Sequence, residues 1–183
     1  MSETDTGRLP GDPTTRETVA RMIRVDHAGE YGARRIYEGQ LAVLGRRPVA
    51  AALRHMQAQE QAHLDTFADL IARRRVRPTA LLPLWHVAGF ALGAATAALG
   101  ERAAMACTVA VEEAIDAHYA GQTARLGDDE ADLRNTIETF RAEEIEHRDI
   151  GLAHQAERAP GYRLLVRAIK TGCRAAIALS ERL

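Results

Sequence analysis

Glu60-Gln61-Ala62-His63 and Glu144-Ile145-Glu146-His147 are the two short stretches on which the reading of this chain turns. Both are Glu-x-x-His, and on an α-helix positions i and i+3 lie about 60° apart around the axis, so both side chains reach one point beside the helix. One such motif carries little weight in a chain with seven histidines and many glutamates. Its repetition, with partners, carries more. Glu30 stands 30 residues before Glu60, and Glu112 stands 32 before Glu144, so each half offers a Glu on one helix and a Glu-x-x-His on the next. Gly29-Glu30-Tyr31, Ala110-Val111-Glu112 and the mostly amphipathic surroundings of Glu60 place these acids where an apolar inner face belongs. Buried carboxylates must be paired or bind metal. Four carboxylates with two imidazoles are hard and borderline donors, suited to iron or manganese; a zinc–thiolate or iron–sulfur site would call for cysteines.

Outward from these motifs, the breakers divide the chain into segments of helical pattern. Thr15 to about Leu44 closes at Gly45 and Pro48, Val49 to about Arg75 closes before Pro78, Glu101 to about Leu126 closes at Gly127-Asp128-Asp129, and Asp129 or Glu130 to about Glu157 closes at Pro160-Gly161. Leu81 to Gly100 is a charge-free run, and Tyr162 to Leu183 is a last amphipathic helix. No alternating strand pattern interrupts them. The expected fold is all-α: four long helices in a ferritin-like bundle, the architecture that carries two-metal carboxylate sites, with an added apolar segment (80–100) and a basic amphipathic helix (162–183). A chain of 183 residues suits one domain, taken as 15–183 after a flexible, acidic, Gly/Pro-bearing tail, 1–14. Formal net charge is −1 and 46% of residues are hydrophobic, which argues against nucleic-acid binding and against a disordered chain. Cys107 and Cys173 have no partner at ligand spacing and read as packed thiols in a reducing compartment.

Neighbouring ionisable groups sort by angle. Glu113, Glu143 and Glu146 are turned away from the ligand faces and read as flanking or supporting charges. His27 precedes Glu30 by three positions and Tyr119 follows Glu112 by seven, which sets both near the metal-facing stripe. Asp26, Asp116 and Glu143 are candidates for accepting the outer N–H of a ligand histidine. His118 is either a group beside a substrate channel or a surface histidine.

The run Leu81 to Gly100 has the length of a membrane span but carries Pro83, His86 and many Gly and Ala residues. It reads as a membrane-facing or lipid-tail surface, as plain bundle core, or as a true span. Arg163, Arg167, Lys170 and Arg174 fall on one stripe of the terminal helix, opposite apolar residues that include Leu165 and Ile169, so that helix either lies on an anionic membrane or packs with a solvated face.

VDHAGEYGARRIYEGQ (25–40), EQAH (60–63), ACTVAVEEAIDAHY (106–119), FRAEEIEHRDIGLAH (140–154) and the closing SERL resemble the demethoxyubiquinone hydroxylase family from about Ala20 to the C-terminus. The resemblance implies a membrane-associated di-iron monooxygenase that hydroxylates the ring of a polyprenyl 6-methoxy-3-methyl-1,4-benzoquinol in ubiquinone biosynthesis. It implies two iron ions held by Glu30, Glu60, His63, Glu112, Glu144 and His147, with O2 and an external reductant, NADH or the quinol itself, as co-substrates. The loop around Gly127 is shorter than in animal members. No Gly-rich dinucleotide motif follows a strand pattern, so electrons are expected from outside any such fold. Expected partners are the quinol, the membrane surface, and a quinone-synthesis complex or lipid-presenting protein. With no transit pattern at the N-terminus, the expected location is the cytoplasmic side of a bacterial inner membrane, peripherally, or else the matrix side of the mitochondrial inner membrane. Rival readings of the same constellation are an iron store, a peroxidase, which in its rubrerythrin-like form carries a four-Cys iron centre that two cysteines cannot supply, or a lipid-binding subunit of a quinone-synthesis assembly.

Overall fold

A computed structural model describes residues 12–183; of the tail expected at 1–14, residues 1–11 lie outside the described residues. The rest is helical: α1 (Thr15–Leu44), α2 (Ala50–Arg74), α3 (Leu82–Ala98), α4 (Glu101–Thr123), α5 (Ala131–Ala153) and α6 (Tyr162–Ser180), with no strand among the described residues. Local chemistry sets the ends. Thr14 caps α1 through a reciprocal pair with Glu17, each side chain accepting the other residue's backbone N–H. Arg75, in the left-handed region at φ 53°, ends α2, and Gly100 at φ 111° turns the chain between α3 and α4.

The helices α1 and α2 form one antiparallel hairpin and α4 and α5 a second; the hairpins meet through α1 against α4 and α2 against α5. Two apolar clusters fill the ends of this bundle. One gathers Tyr37, Leu53, Met56 and Met105, the other Ile23, Phe67, Leu133 and Ile137. Along every helix the acids of the Glu-x-x-His repeat fall between the two clusters, so hydrocarbon closes the polar belt above and below. The last two core helices end three to four residues before the expected Leu126 and Glu157. After α5 the cause is Gln155, whose positive φ of 62° turns the chain so that Ala156 and Ala159 tuck beneath the first cluster.

The charge-free run becomes α3, which lies along α1 outside the bundle, while α6 lies along α4. Close approach of the backbones holds α3 in place: a Cβ on Gly93 would strike the Ile36 carbonyl, one on Gly39 the Phe90 carbonyl, and one on Gly89 would come within 2.8 Å of the Gly32 oxygen. Its 17 residues extend only about 25 Å, short of the ~30 Å hydrocarbon thickness of a bilayer. No helix among the described residues is long and apolar enough to cross a membrane, which removes the spanning alternative. One face of α3 is packed; Leu84, Val87 and Leu99 on the other are 52%, 65% and 73% exposed. On α6, Arg163, Arg167 and Arg174 are exposed with Leu164, whereas Lys170 is tied to Glu113 at 2.8 Å.

The glycine contacts make a prediction with opposite signs at two sites. Gly93→Val forces a side chain into the α1 backbone and is expected to lower stability by roughly 1–3 kcal/mol. Gly121→Ala, where an added Cβ meets nothing, is expected to raise stability by roughly 0.5–1 kcal/mol. Urea denaturation of both variants checks the pair.

Candidate metal centre

Glu30 from α1, Glu60 and His63 from α2, Glu112 from α4 and Glu144 and His147 from α5 converge at the middle of the bundle, each at most 1% exposed. Single donor atoms from Glu30, Glu60, His63 and Glu144 lie within 4.8 Å of one another, and so do atoms from Glu60, Glu112, Glu144 and His147. The two groups share Glu60 and Glu144. The histidines present Nδ1 inward: His63 Nδ1 is 3.2 Å from Glu144 and 3.3 Å from Glu30, and His147 Nδ1 is 3.2 Å from Glu60 and 3.3 Å from Glu144. These are ion-pair distances whose angles miss those of hydrogen bonds, as expected of donors aimed at a common point rather than at each other.

The pattern of unpartnered atoms tests whether metal ions fit. Eight buried donor atoms of these six residues make no hydrogen bond: both oxygens of Glu60, both of Glu144, one each of Glu30 and Glu112, and both Nδ1 atoms. Tyr119 donates to the second oxygen of Glu30, and Tyr37 to that of Glu112 at 2.6 Å. Two metal ions would fit this donor set: Glu30 and His63 could serve one, Glu112 and His147 the other, and Glu60 and Glu144, which belong to both groups, could serve either. Left orphaned in a dry interior, such groups cost on the order of 1–3 kcal/mol each when neutral and more when charged.

The six side chains shift one another's protonation. Burial, then the negative charge of Glu144, pushes the Glu60 and Glu112 carboxyls well above the ordinary range. Burial would raise Glu144 too, but the imidazoles of His147 and His63 win and hold it at about 2. Burial would lower His63, but the flanking Glu144 and Glu30 carboxylates lift it to about 11.

Outside the donors, each imidazole turns Nε2 to a residue of the opposite hairpin. His63 Nε2 meets Glu143 at 2.6 Å and His147 Nε2 meets Gln59 at 3.0 Å. Phe140 stacks on His63 with ring centres 4.0 Å apart. Of the residues singled out around the repeat, Tyr119 and Glu143 touch the six; Asp116 does not, since it pairs with Arg141 at 2.6 Å. Asp26 accepts from Gln122 at 2.7 Å and lies 3.3 Å from His118, and burial raises its carboxyl to about 6 against the lowering effect of His118. His118 therefore belongs to this polar layer, beyond reach of the donors. His27 is half-buried, burial lowers its pKa, and it joins neither four-residue group. Glu113 is held by Lys170, and Glu146 sits at the surface 3.7 Å from His55.

Tyr37, Gln40, Gln59 and Gln122 are the residues that reading the sequence missed. The signal was present as a second repeat. Tyr37 follows Glu30 by seven positions as Tyr119 follows Glu112, and Gln40 and Gln122 each come three later. The tyrosine of one hairpin bonds the glutamate of the other.

Beside the centre, α1, α3, α4 and α6 enclose a groove of about 590 Å³ walled almost wholly by hydrocarbon, including Ile36, Trp85, Leu92, Ile115 and Ile169. Gly29 and Val111, chain neighbours of Glu30 and Glu112, are part of its wall. Trp85 Nε1 donates to Ser180 at 3.0 Å and ties α3 to α6 across it.

Comparison with known proteins agrees with this geometry. Residues 17–180 match the family described as ubiquinone biosynthesis protein COQ7. A 3-demethoxyubiquinol 3-hydroxylase of Rhodospirillum rubrum is 64% identical over 176 residues, covering 96% of this chain and 83% of the relative. The mitochondrial NADPH-dependent 3-demethoxyubiquinone 3-hydroxylase of Rattus norvegicus is 57% identical over 175 residues, covering 93% and 81%. The mitochondrial 5-demethoxyubiquinone hydroxylase of Saccharomyces cerevisiae is 42% identical over 180 residues, covering 89% and 77%. With duplicated hairpins, a shared carboxylate core and these relatives, the chain belongs to the COQ7 family of ubiquinone biosynthesis proteins.

Proposed function

We propose that this protein is a di-iron monooxygenase that hydroxylates the ring of demethoxyubiquinol, a polyprenyl 6-methoxy-3-methyl-1,4-benzoquinol, in ubiquinone biosynthesis. The observation that carries the reading is the set of eight buried, unpartnered donor atoms standing beside an apolar groove, in a chain whose relatives bear hydroxylase names. Glu30, His63, Glu112 and His147 would hold the ions singly, with Glu60 and Glu144 between them. Iron bound there supplies the activation of O2, and electrons come from an external reductant, a pyridine nucleotide or the quinol itself.

The remaining work falls to the chain. Tyr37 and Tyr119 occupy one oxygen of each outer carboxylate and leave the other free to bind. Glu143 and Gln59 orient the imidazoles. The two apolar clusters and Phe140 exclude water, which strengthens every charge interaction inside. The groove takes the prenyl chain, and Gly29 and Gly32 leave room on α1 for a flat ring near Glu30 and Glu112. Exposed Leu84, Val87 and Leu164 with Arg163, Arg167 and Arg174 support peripheral attachment to an anionic membrane, the source of so insoluble a substrate. A bacterial inner membrane, cytoplasmic side, is the location we favour. An iron store has no use for this groove.

Three measurements test the reading. Glu144→Ala removes a shared ligand; metal content of the purified protein should fall below two ions per chain, and conversion of demethoxyubiquinol to the product one oxygen heavier should drop on the order of 100-fold or more. Full metal content with normal conversion in that variant would refute the assignment. Because burial raises the Glu60 and Glu112 carboxyls and the flanking carboxylates raise His63 to about 11, ions that bind there compete with protons. Calorimetry in buffers of different ionisation heat should show proton release on Fe2+ binding, and affinity should weaken as pH falls. Gly32→Leu, which fills the groove without touching a ligand, should raise KM for a long-tailed quinol roughly tenfold while iron content stays at two.

A further inference from the structure

The two halves of the centre differ one step back from the donor atoms. Glu143 and Gln59 occupy equivalent places, each directly before the Glu of a Glu-x-x-His and each serving the histidine of the other hairpin. One is a carboxylate at 2.6 Å, the other an amide at 3.0 Å. A further layer out, the same exchange recurs. Gln122 donates to Asp26 on the Glu30 side, whereas Gln40 donates to the Ala104 carbonyl and Thr108 on the Glu112 side. The otherwise near-symmetric site therefore gathers its extra anionic groups around His63 and Glu30.

We propose that the His63–Glu30 position is the tighter of the two metal positions and fills first, with Glu143 as the positioning residue that sets this order. The inference rests on the metal-centre reading above. An imidazole whose outer N–H donates to a carboxylate is a better donor through its inner nitrogen than one bonded to an amide, and it is more firmly oriented; losing such a partner typically weakens metal binding about 10- to 100-fold. Phe140, stacked on His63, keeps water from that face of the ring. Acting through space, Glu143 contributes less, because it is about a third exposed and screened by solvent. Asp26 also contributes less, since it sits a layer further out, accepting from Gln122 at 2.7 Å and lying 3.3 Å from His118. The short Glu143–His63 hydrogen bond dominates the difference.

Anaerobic calorimetric titration of the metal-free full chain with Fe2+ alone tests this. Two steps of one ion each are expected, separated by at least about tenfold in affinity. Glu143→Gln should weaken the first step roughly tenfold and leave the second within about twofold. Gln59→Glu, which gives both imidazoles a carboxylate, should strengthen the second step and draw the two iron environments together in the Mössbauer spectrum of the diferrous protein. Glu146→Gln removes an exposed charge from the same turn of α5 and should change neither step. Two ions of equal affinity in the unaltered chain, or equal losses in Glu143→Gln and Glu146→Gln, would overturn the proposal. Binding of fewer than two ions, or binding unaffected by Glu144→Ala, is a distinct result that overturns the metal-centre reading itself.

Discussion

Four carboxylates and two imidazoles are buried together in the middle of a helical bundle, and most of the architecture answers to that one electrostatic burden. Isolated, any one of these charges would be driven out of an interior of low polarity or neutralised there. Held as a group, they share protons or cations. Burial and the charge of Glu144 raise the Glu60 and Glu112 carboxyls, while the two imidazoles hold Glu144 low. The rest of the bundle then has two tasks: to close hydrocarbon over both ends of the polar belt, and to occupy the oxygens and nitrogens that face outward. Tyr37, Tyr119, Gln59 and Glu143 perform the second task with side chains that reach across from the opposite hairpin.

The outer helices solve a different problem. A substrate with a long hydrocarbon tail needs an apolar route to a site surrounded by acids, and a four-helix bundle alone offers none. Laying α3 along α1 and α6 along α4 builds a groove on the outside of the bundle whose floor is the far face of the ligand-bearing helices. The glycines that let α3 approach α1 so closely therefore bear on access as well as packing: a more distant α3 would open that wall to water.

Much of this was legible in the sequence, and the parts that were not share a cause. Helical periodicity and the breakers at Gly45, Pro48, Gly127 and Pro160 set out six helices, and the convergence of Glu30, Glu60, His63, Glu112, Glu144 and His147 follows from their spacing, because ligand faces on helices depend on local geometry. Tyr119 was found for the same reason. Tyr37 was overlooked although its spacing from Glu30 is identical, because a tyrosine among hydrophobic neighbours reads as ordinary core; only its reach to Glu112 on another helix distinguishes it. Asp116 has the position of a histidine partner, but Arg141 on the neighbouring helix claims it. The placement of α3 depended on which glycines meet which carbonyls. Composition alone left core, surface and span all open.

The crosswise tyrosine bonds bear on how the protein comes to exist. Each hairpin carries a glutamate that is finished only by the tyrosine of its counterpart, and each histidine is steadied by a residue on the helix across from it. Neither hairpin alone is a half-enzyme. Docking of the hairpins must therefore precede completion of the donor set, and a chain severed between α2 and α4 would regain that set only where both pieces reassociate.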